Sequence, residues 1–128
     1  MKSYELAAMR KHMTLDVTDC ATFIGKVSAR TWQYWESGTY AVPQDVFEAM
    51  IELKRIRDVM YAKIVDVNEG DNPDAPSLQY FHSVEDYLAK HSGHTQIEYK
   101  LYQSVICQAF YERRAYLYEA AKVETGRA

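Results

Sequence analysis

Apolar residues recur at helical spacing in the first forty positions of the chain, which indicates short helices. In the first segment, Leu6, Met9 and Met13 lie three and four residues apart and would share one face. Ser3 is the expected N-cap, and the helix would end near His12. This pattern predicts one element of a helical bundle.

Two further short helices are predicted before residue 40. Asp16 can cap the second helix, which Gly25 would end. Ser28 can cap the third helix, and Gly38 lies where a left-handed residue most easily terminates it. The expected bounds are Val17 to Ile24 for the second helix and Ser28 to Glu36 for the third.

A long fourth helix, from Gln44 to about Val67, follows Pro43, whose missing N–H costs nothing in a first helical turn. The segment Asn68 to Pro76 contains a glycine, two prolines and three acidic residues, and is typical of a linker. We therefore predict a helix-turn-helix domain in residues 1–67, a linker in residues 68–76 and a C-terminal dimerisation region in residues 77–128.

The C-terminal region is expected to be mostly helical. Leu78 to Phe81 is apolar and aromatic, which favours one brief strand. Ser83 can cap a helix to Lys90 in a capping box with Asp86, and Gly93 interrupts the pattern. The last predicted helix runs from Thr95 to Lys122 and is rich in tyrosine: Tyr99, Tyr102, Tyr111, Tyr116 and Tyr118. The fold class is thus mainly α.

Composition and charge narrow the class of protein. With 128 residues, 48% of them hydrophobic, the chain fits one compact domain or a small module with an attached region. No apolar run is long enough for a membrane helix, and the first residues do not resemble a signal peptide, so we expect a cytoplasmic protein. The only cysteines, Cys20 and Cys107, lie in helical patterns, which argues against a disulfide framework.

The formal charge of −3 argues against loose coating of polyanions. Residues 1–40 contain five basic and four acidic side chains, a balance of +1, whereas the other 88 residues contain ten basic and fourteen acidic ones, a balance of −4. Any binding of nucleic acid must therefore be local.

The third predicted helix has two different faces. Trp32 and Trp35 would face inward, because indoles three residues apart on a helix mainly bury area. Arg30 can donate two hydrogen bonds to guanine O6 and N7, and Gln33 can pair with adenine N6 and N7. The alternative is an ordinary solvated helix face, but a helix-turn-helix frame favours base contact.

Several strings resemble known families. Leu6-x3-Arg10, Ala21, Ile24-Gly25, Ser28-x2-Thr31-Trp32 and Trp35-Glu36-Ser37-Gly38-x4-Pro43 resemble the Cro/lambda-repressor helix-turn-helix pattern over roughly the first half. Leu15-Asp16-Val17, Val27-Ser28-Ala29-Arg30, Trp32-Gln33-Tyr34-Trp35-Glu36-Ser37-Gly38 and Val42-Pro43, with the late Asp86-Tyr87-Leu88 and Gln103-Ser104-Val105, resemble the YdiL-like family over most of the chain. That family includes autoregulatory repressors encoded beside anti-CRISPR genes.

The resemblance implies a homodimeric transcriptional repressor that binds double-stranded DNA at an inverted repeat. Residues matching base-contacting positions, or positions near them, are Ala29, Arg30, Gln33 and Tyr34. Residues expected at the DNA backbone are Thr18, Lys26, Ser28, Ser37, Thr39 and Tyr40. Residues expected to support the recognition helix are Arg10, Trp32, Trp35 and Glu36.

Two further features of the first three helices bear on this resemblance. Arg10 and Glu36 match a pair that ties the first helix to the recognition helix, although two unrelated surface charges are the alternative. The glutamine usual at the start of the second helix is replaced by Val17 and Thr18, and Lys26 lengthens the following turn by one residue. The phosphate contacts of that region are therefore expected to depart from the family pattern.

Other classes of function remain as alternatives. The same helices could form a protein-interaction module, antitoxin-like or adaptor, or Arg30, Tyr34 and Tyr40 could stack on RNA bases. The motifs of hydrolases, nucleotide-binding loops and zinc proteases are missing from the sequence, so we predict neither an enzyme nor a cofactor. His91-x2-His94 has loose metal spacing without further ligands nearby, and we predict no metal site.

Overall fold

The computed structural model describes residues 1–65 and 75–119, which are mainly helical, as the sequence predicts, with a two-stranded sheet where one brief strand was expected. The chain divides into two compact units, Met1–Val59 and Met60–Ala128. The helices are α1 (Ser3–His12), α2 (Val17–Cys20), α3 (Ala29–Ser37), α4 (Gln44–Val65), α5 (Val84–Lys90) and α6 (Gln96–Tyr111), and the strands are β1 (Ser77–Tyr80) and β2 (Tyr116–Glu119). In this part of the chain, no helix combines the length and the hydropathy needed to cross a membrane.

Helix α1 has the predicted bounds but a different cap. Lys2 is the N-cap, and its backbone N–H donates to the Glu5 carboxylate at 2.9 Å. The prediction of Ser3 as the cap was wrong, because Ser3 is already the first helical residue. The Glu5 carboxylate satisfies the N–H of the N-cap residue, one of the groups at the helix start that have no partner within the helix.

The second predicted helix begins correctly and ends differently. Asp16 caps α2 by accepting from the backbone N–H of Asp19 at 2.8 Å, as predicted. The α-helix continues only to Cys20, and Ala21–Gly25 forms a π-helical turn. Lys26 then takes the left-handed conformation, with φ of 55°, so the prediction that Gly25 ends the helix was wrong.

Gly25 is needed because its backbone lies close to two tryptophan rings, not because it takes a left-handed conformation. A Cβ at this position would lie 3.0 Å from Trp35 Cζ3 and 3.2 Å from Trp32 Cε3. Contacts this short are rare for real Cβ atoms, so a larger residue would push against both indoles. The glycine thus lets the turn pack directly on α3.

Helix α3 is fixed at both ends as predicted. The Ser28 hydroxyl accepts from the backbone N–H of Thr31 at 3.1 Å. At the other end, Gly38 has φ of 83°, and its N–H donates to the carbonyl of Trp35. Glycine adopts this conformation without the steric cost that a Cβ brings.

The first unit has a core of fully buried side chains, which include Trp32, Leu6, Met13 and Met50. Trp35 is 7% exposed, and its ring meets Trp32 edge-on at a centroid distance of 5.5 Å. Helices α1, α3 and α4 each contribute buried side chains to the first unit.

Helix α4 begins at Gln44, as predicted. It buries Val46 and Met50, which are four residues apart and therefore lie on one face of the helix. The last two positions of the predicted helix, 66–67, and the predicted linker up to position 74 lie outside the described residues.

The second unit contains a parallel pair of strands, in register from Ser77 opposite Tyr116 to Tyr80 opposite Glu119. The predicted first strand is confirmed with a shift of one residue. The helix predicted from Thr95 to Lys122 was wrong in its last third, because α6 ends at Tyr111 and β2 follows. Arg113, with φ of 63°, lies in the turn between them, and residues 120–122 of that prediction lie outside the described part.

Helix α6 is tied to β1 and the residue after it through tyrosine hydroxyls. Tyr99 donates to the carbonyl of Phe81 at 3.2 Å, and Tyr102 donates to the carbonyl of Gln79. Burial raises the pKa of Tyr102 to about 12, so this hydroxyl keeps the proton that it donates. Part of the tyrosine-rich pattern thus serves packing within the unit.

The two histidines with loose metal spacing belong to an aromatic cluster. His91 stacks on Tyr87 at 4.1 Å between ring centroids, and the Tyr87 hydroxyl lies 2.8 Å from His94 Nδ1. Phe81 and Tyr87 are buried at the centre of this cluster. Within residues 1–65 and 75–119, no group of three or more potential ligand residues could hold a metal ion.

Candidate nucleic-acid interface

Helix α3 presents two different faces, which follow from its spacing. Trp32 and Trp35 are buried, whereas Arg30 and Gln33 are exposed. Ala29 and Tyr34, the other two predicted base-contacting residues, are half-buried. The helix therefore buries two large indoles while it offers a guanidinium and a carboxamide to solvent.

The position of α3 relative to α1 is fixed by a network around Glu36. Arg10 binds its carboxylate with two nitrogens, Nε at 2.6 Å from Oε2 and Nη2 at 3.0 Å from Oε1. Arg10 Nη1 also donates to the carbonyl of Leu15 at 3.0 Å. Trp32 Nε1 donates to Glu36 Oε2 at 2.6 Å. One carboxylate thus links α1 to α3 and satisfies the polar atom of the buried Trp32.

The charges of this network stabilise one another. Burial would raise the pKa of Glu36, but hydrogen bonds from Arg10 and Trp32 outweigh burial and hold the pKa below its ordinary value. The hydrogen bond to Glu36 raises the pKa of Arg10, although burial opposes this. Both groups are therefore ionised at neutral pH.

Arg30, Tyr34 and Tyr40 form a second group of contacting side chains. Arg30 Nε donates to the Tyr34 hydroxyl at 2.8 Å, and the guanidinium carbon lies 5.7 Å from the centroid of the Tyr34 ring. The ring of Tyr40 meets Tyr34 edge-on at 5.2 Å. The structure thus brings together three of the predicted contact residues.

The predicted backbone-contacting residues lie in three places. Ser37 and Thr39 lie at the end of α3, where their hydroxyl oxygens are 2.9 Å apart, and Tyr40 follows them. Ser28 lies at the start of α3, where its hydroxyl is engaged as the cap, with Lys26 exposed in the preceding turn. Thr18 is exposed on α2.

Three interactions at this site were not foreseen from the sequence. They are the bond from Arg10 to the Leu15 carbonyl, the bond from Trp32 to Glu36 and the bond from Arg30 to Tyr34. The last two join residues four apart on one helix, a spacing that brings side chains together. That spacing could have indicated both of them, whereas the Leu15 contact has no comparable local signal.

Comparison with known proteins covers most of the chain. The sequence profile of the Aca2/YdiL-like family matches residues 1–117. The chain is 42% identical over 115 residues to the Aca2 repressor of Pectobacterium phage ZF40, which covers 90% of this chain and 97% of that protein. It is 27% identical over 114 residues to the uncharacterized protein YdiL of Escherichia coli strain K12, covering 86% of this chain and 93% of that one. The chain therefore belongs to the Aca2/YdiL-like family.

Proposed function

We propose that this protein is a cytoplasmic transcriptional repressor that binds an inverted-repeat DNA operator as a homodimer, including an operator of its own gene. The main observation is the exposed Arg30 and Gln33 on a helix whose opposite face is anchored by two buried tryptophans. The relative named Aca2 repressor, similar over nearly its whole length, supports a role in repression. We propose no catalytic activity and no cofactor.

In this proposal, α3 lies in the DNA major groove. Arg30 pairs with guanine and Gln33 with adenine, and Ala29 and Tyr34 lie next to the bases. Phosphate contacts position the protein without specifying sequence. The residues assigned to them are Thr18, Lys26, Ser28, Ser37, Thr39 and Tyr40.

We assign DNA binding to residues 1–67, with 68–76 as a linker, and dimerisation to residues 77–128. The second unit exposes several large aromatic side chains, including Phe110 at 53% and Tyr111 at 87%. Together with Arg113, Ala115 and Tyr116 they line an open depression of about 430 Å³. Exposed aromatic residues are enriched where proteins associate, and pairing doubles the number of bases contacted.

The proposal is tested by selecting bound duplexes from a random DNA pool. We expect an enriched inverted repeat, and we expect Arg30→Ala to weaken its binding by about 1–3 kcal/mol, or roughly 5- to 150-fold. Arg55→Ala is a matched control, since Arg55 is an exposed arginine on α4 paired with Glu52. It should leave the affinity for the selected duplex nearly unchanged.

Three results of these binding experiments would change the assignment. A pool without an enriched sequence, together with a copurifying protein, would favour an antitoxin-like or adaptor module. Preference for an RNA competitor over every duplex would favour an RNA-binding regulator. Equal binding of the selected duplex by the parent and Arg30→Ala would remove Arg30 as a base contact.

A further inference from the structure

Arg30 is held by one neighbour on its own helix. Its Nε donates to the Tyr34 hydroxyl at 2.8 Å, and within the described parts of the chain Tyr34 is the one hydrogen-bond partner of the Arg30 side chain. This bond uses the inner nitrogen of the guanidinium. The two terminal nitrogens, Nη1 and Nη2, remain available as a fork with two parallel donors.

Tyr34 is itself held in place from beyond the end of α3. Gly38, with φ of 83°, turns the chain back, so that the N–H of Tyr40 donates to the carbonyl of Tyr34 at 3.2 Å. The Ser37 hydroxyl donates to the same carbonyl at 3.2 Å. The ring of Tyr40 then meets the ring of Tyr34 nearly at a right angle, at 87°. This edge-to-face contact limits the positions open to the Tyr34 hydroxyl.

An unsupported arginine on a helix surface loses rotamer entropy when a base fixes it. A hydrogen bond and a ring contact that already restrict Arg30 reduce this loss before DNA arrives. They also fix the direction of the terminal fork. A fork of fixed direction matches the paired acceptors O6 and N7, which only guanine offers in the major groove.

We propose that Tyr34 and Tyr40 are positioning residues that set Arg30 for end-on recognition of a guanine, so that the hydroxyl of Tyr34 acts through Arg30 and not on a base. This inference rests on the proposed function and narrows the role given there to Tyr34. It assigns the preference for guanine at one position of each half-site to three side chains instead of one.

The test compares guanine with the other three bases at the position where Arg30→Ala loses discrimination. Tyr34→Phe keeps the ring and removes the hydroxyl, and we expect it to lower the preference for guanine about two- to tenfold, the range for one hydrogen bond. Binding to nonspecific duplex should stay unchanged, and thermal unfolding should show an intact fold. Tyr4→Phe is the matched control, because Tyr4 is an exposed tyrosine outside this group.

A double-mutant cycle separates positioning from direct contact. If Tyr34 acts through Arg30, Tyr34→Phe has no further effect in the Arg30→Ala background. Additive losses would mean that the hydroxyl contacts DNA itself, and they would overturn the proposal, as would an unchanged guanine preference in Tyr34→Phe. If the parent protein enriches no duplex, the proposed function fails and this inference fails with it. If the parent enriches a duplex but Tyr34→Phe keeps the full preference for guanine, only this inference fails.

The role of Tyr40 is tested by comparing a variant that removes its ring with one that keeps it. Tyr40→Ala removes the edge contact and should lower the preference for guanine, whereas Tyr40→Phe retains the ring and should keep the preference. A phosphate contact by the Tyr40 hydroxyl would change the affinity for all sequences alike and leave this ratio unaffected. If Tyr40→Ala retains the preference for guanine, Tyr40 does not help to position Arg30.

Discussion

Glu36 is the residue on which the geometry of the first unit most depends. Its carboxylate accepts from Arg10 and from Trp32, and the side chains of the ion pair are only 13% and 14% exposed. In such surroundings, removing one partner leaves a charge that water cannot fully solvate. The pair therefore fixes how α1 meets α3 more than it adds net stability.

This network predicts a specific dependence of stability on pH. Because the folded-state pKa of Glu36 lies below its ordinary value of 4.5, the ionised carboxylate stabilises the fold fully above about pH 4.5. This stabilisation is lost as the pH falls through the folded-state pKa. Glu36→Gln should lower the free energy of unfolding by about 3 kcal/mol at pH 7 and flatten its decline in acid.

Urea unfolding at a series of pH values measures this effect. Glu52→Gln is the control, because Glu52 is also paired with an arginine but is exposed. Equal slopes of stability against pH below 4.5 for the parent and Glu36→Gln would contradict the assignment of the acid response to this carboxylate.

At the scale of elements, residues at both ends of α3 determine where the helix begins, where it ends and what it packs against. Ser28 satisfies the first turn, and Gly25 lets the preceding π-helical turn approach the indoles. Gly38 ends the helix and returns the chain to Tyr34. A change at either end should therefore alter the exposed face as well as the helix itself.

Gly38 offers a test of the helix end. Gly38→Ala should destabilise the protein by about 1–2 kcal/mol, because a Cβ is unfavourable at φ of 83°. Gly38→Asn should cost less, since asparagine tolerates the left-handed conformation. Denaturant unfolding of the two variants gives the comparison, and equal losses would show that the backbone conformation is not the cause.

At the scale of the whole molecule, two described units of different character serve the proposed function. The first forty residues have a balance of +1 and the rest −4, so bulk charge adds little nonspecific attraction to DNA. The second unit instead exposes aromatic side chains around the end of α6 and in β2. Binding to an inverted repeat needs two copies with half-sites about 34 Å apart, or a multiple of that distance.

The dimer is tested by adding charge to this aromatic surface. The double variant Phe110→Asp, Tyr111→Asp should shift the protein from dimer to monomer in sedimentation, because burying two carboxylates at an interface is costly. Its affinity for the full inverted repeat should fall, while its affinity for an isolated half-site should not change. Ser92→Asp adds a charge at an exposed position outside this surface and serves as the control.

An unchanged dimer in the double aspartate variant would place the subunit contact elsewhere. A parent protein that is monomeric at all concentrations would remove the homodimer from the proposal. Neither result would test the assignment of Arg30 and Gln33 to base contacts. The selected duplexes test that assignment.

The sequence by itself determined the features that depend on near neighbours. Helical spacing placed α1, α3 and α4, and the polar caps Asp16, Ser28 and Ser83 were correct because each bonds a backbone N–H three residues away. The two-faced character of α3 also followed from spacing alone. The assignment of Arg30 and Gln33 to bases came from the same spacing together with a family resemblance, and it stays a prediction.

The tertiary structure decided the features that depend on distant partners. The run Tyr116–Glu119 is a strand because it pairs with β1, some forty residues earlier, whereas its local pattern also fits a helix. Lys26, not Gly25, takes the left-handed conformation, and Gly25 instead lies where a Cβ would press on the indoles. The bond from Arg10 to Glu36 joins residues 26 apart, and only the family resemblance, not spacing along the chain, had indicated it. Spacing along a chain fixes which side chains share a face, but only packing fixes what that face meets.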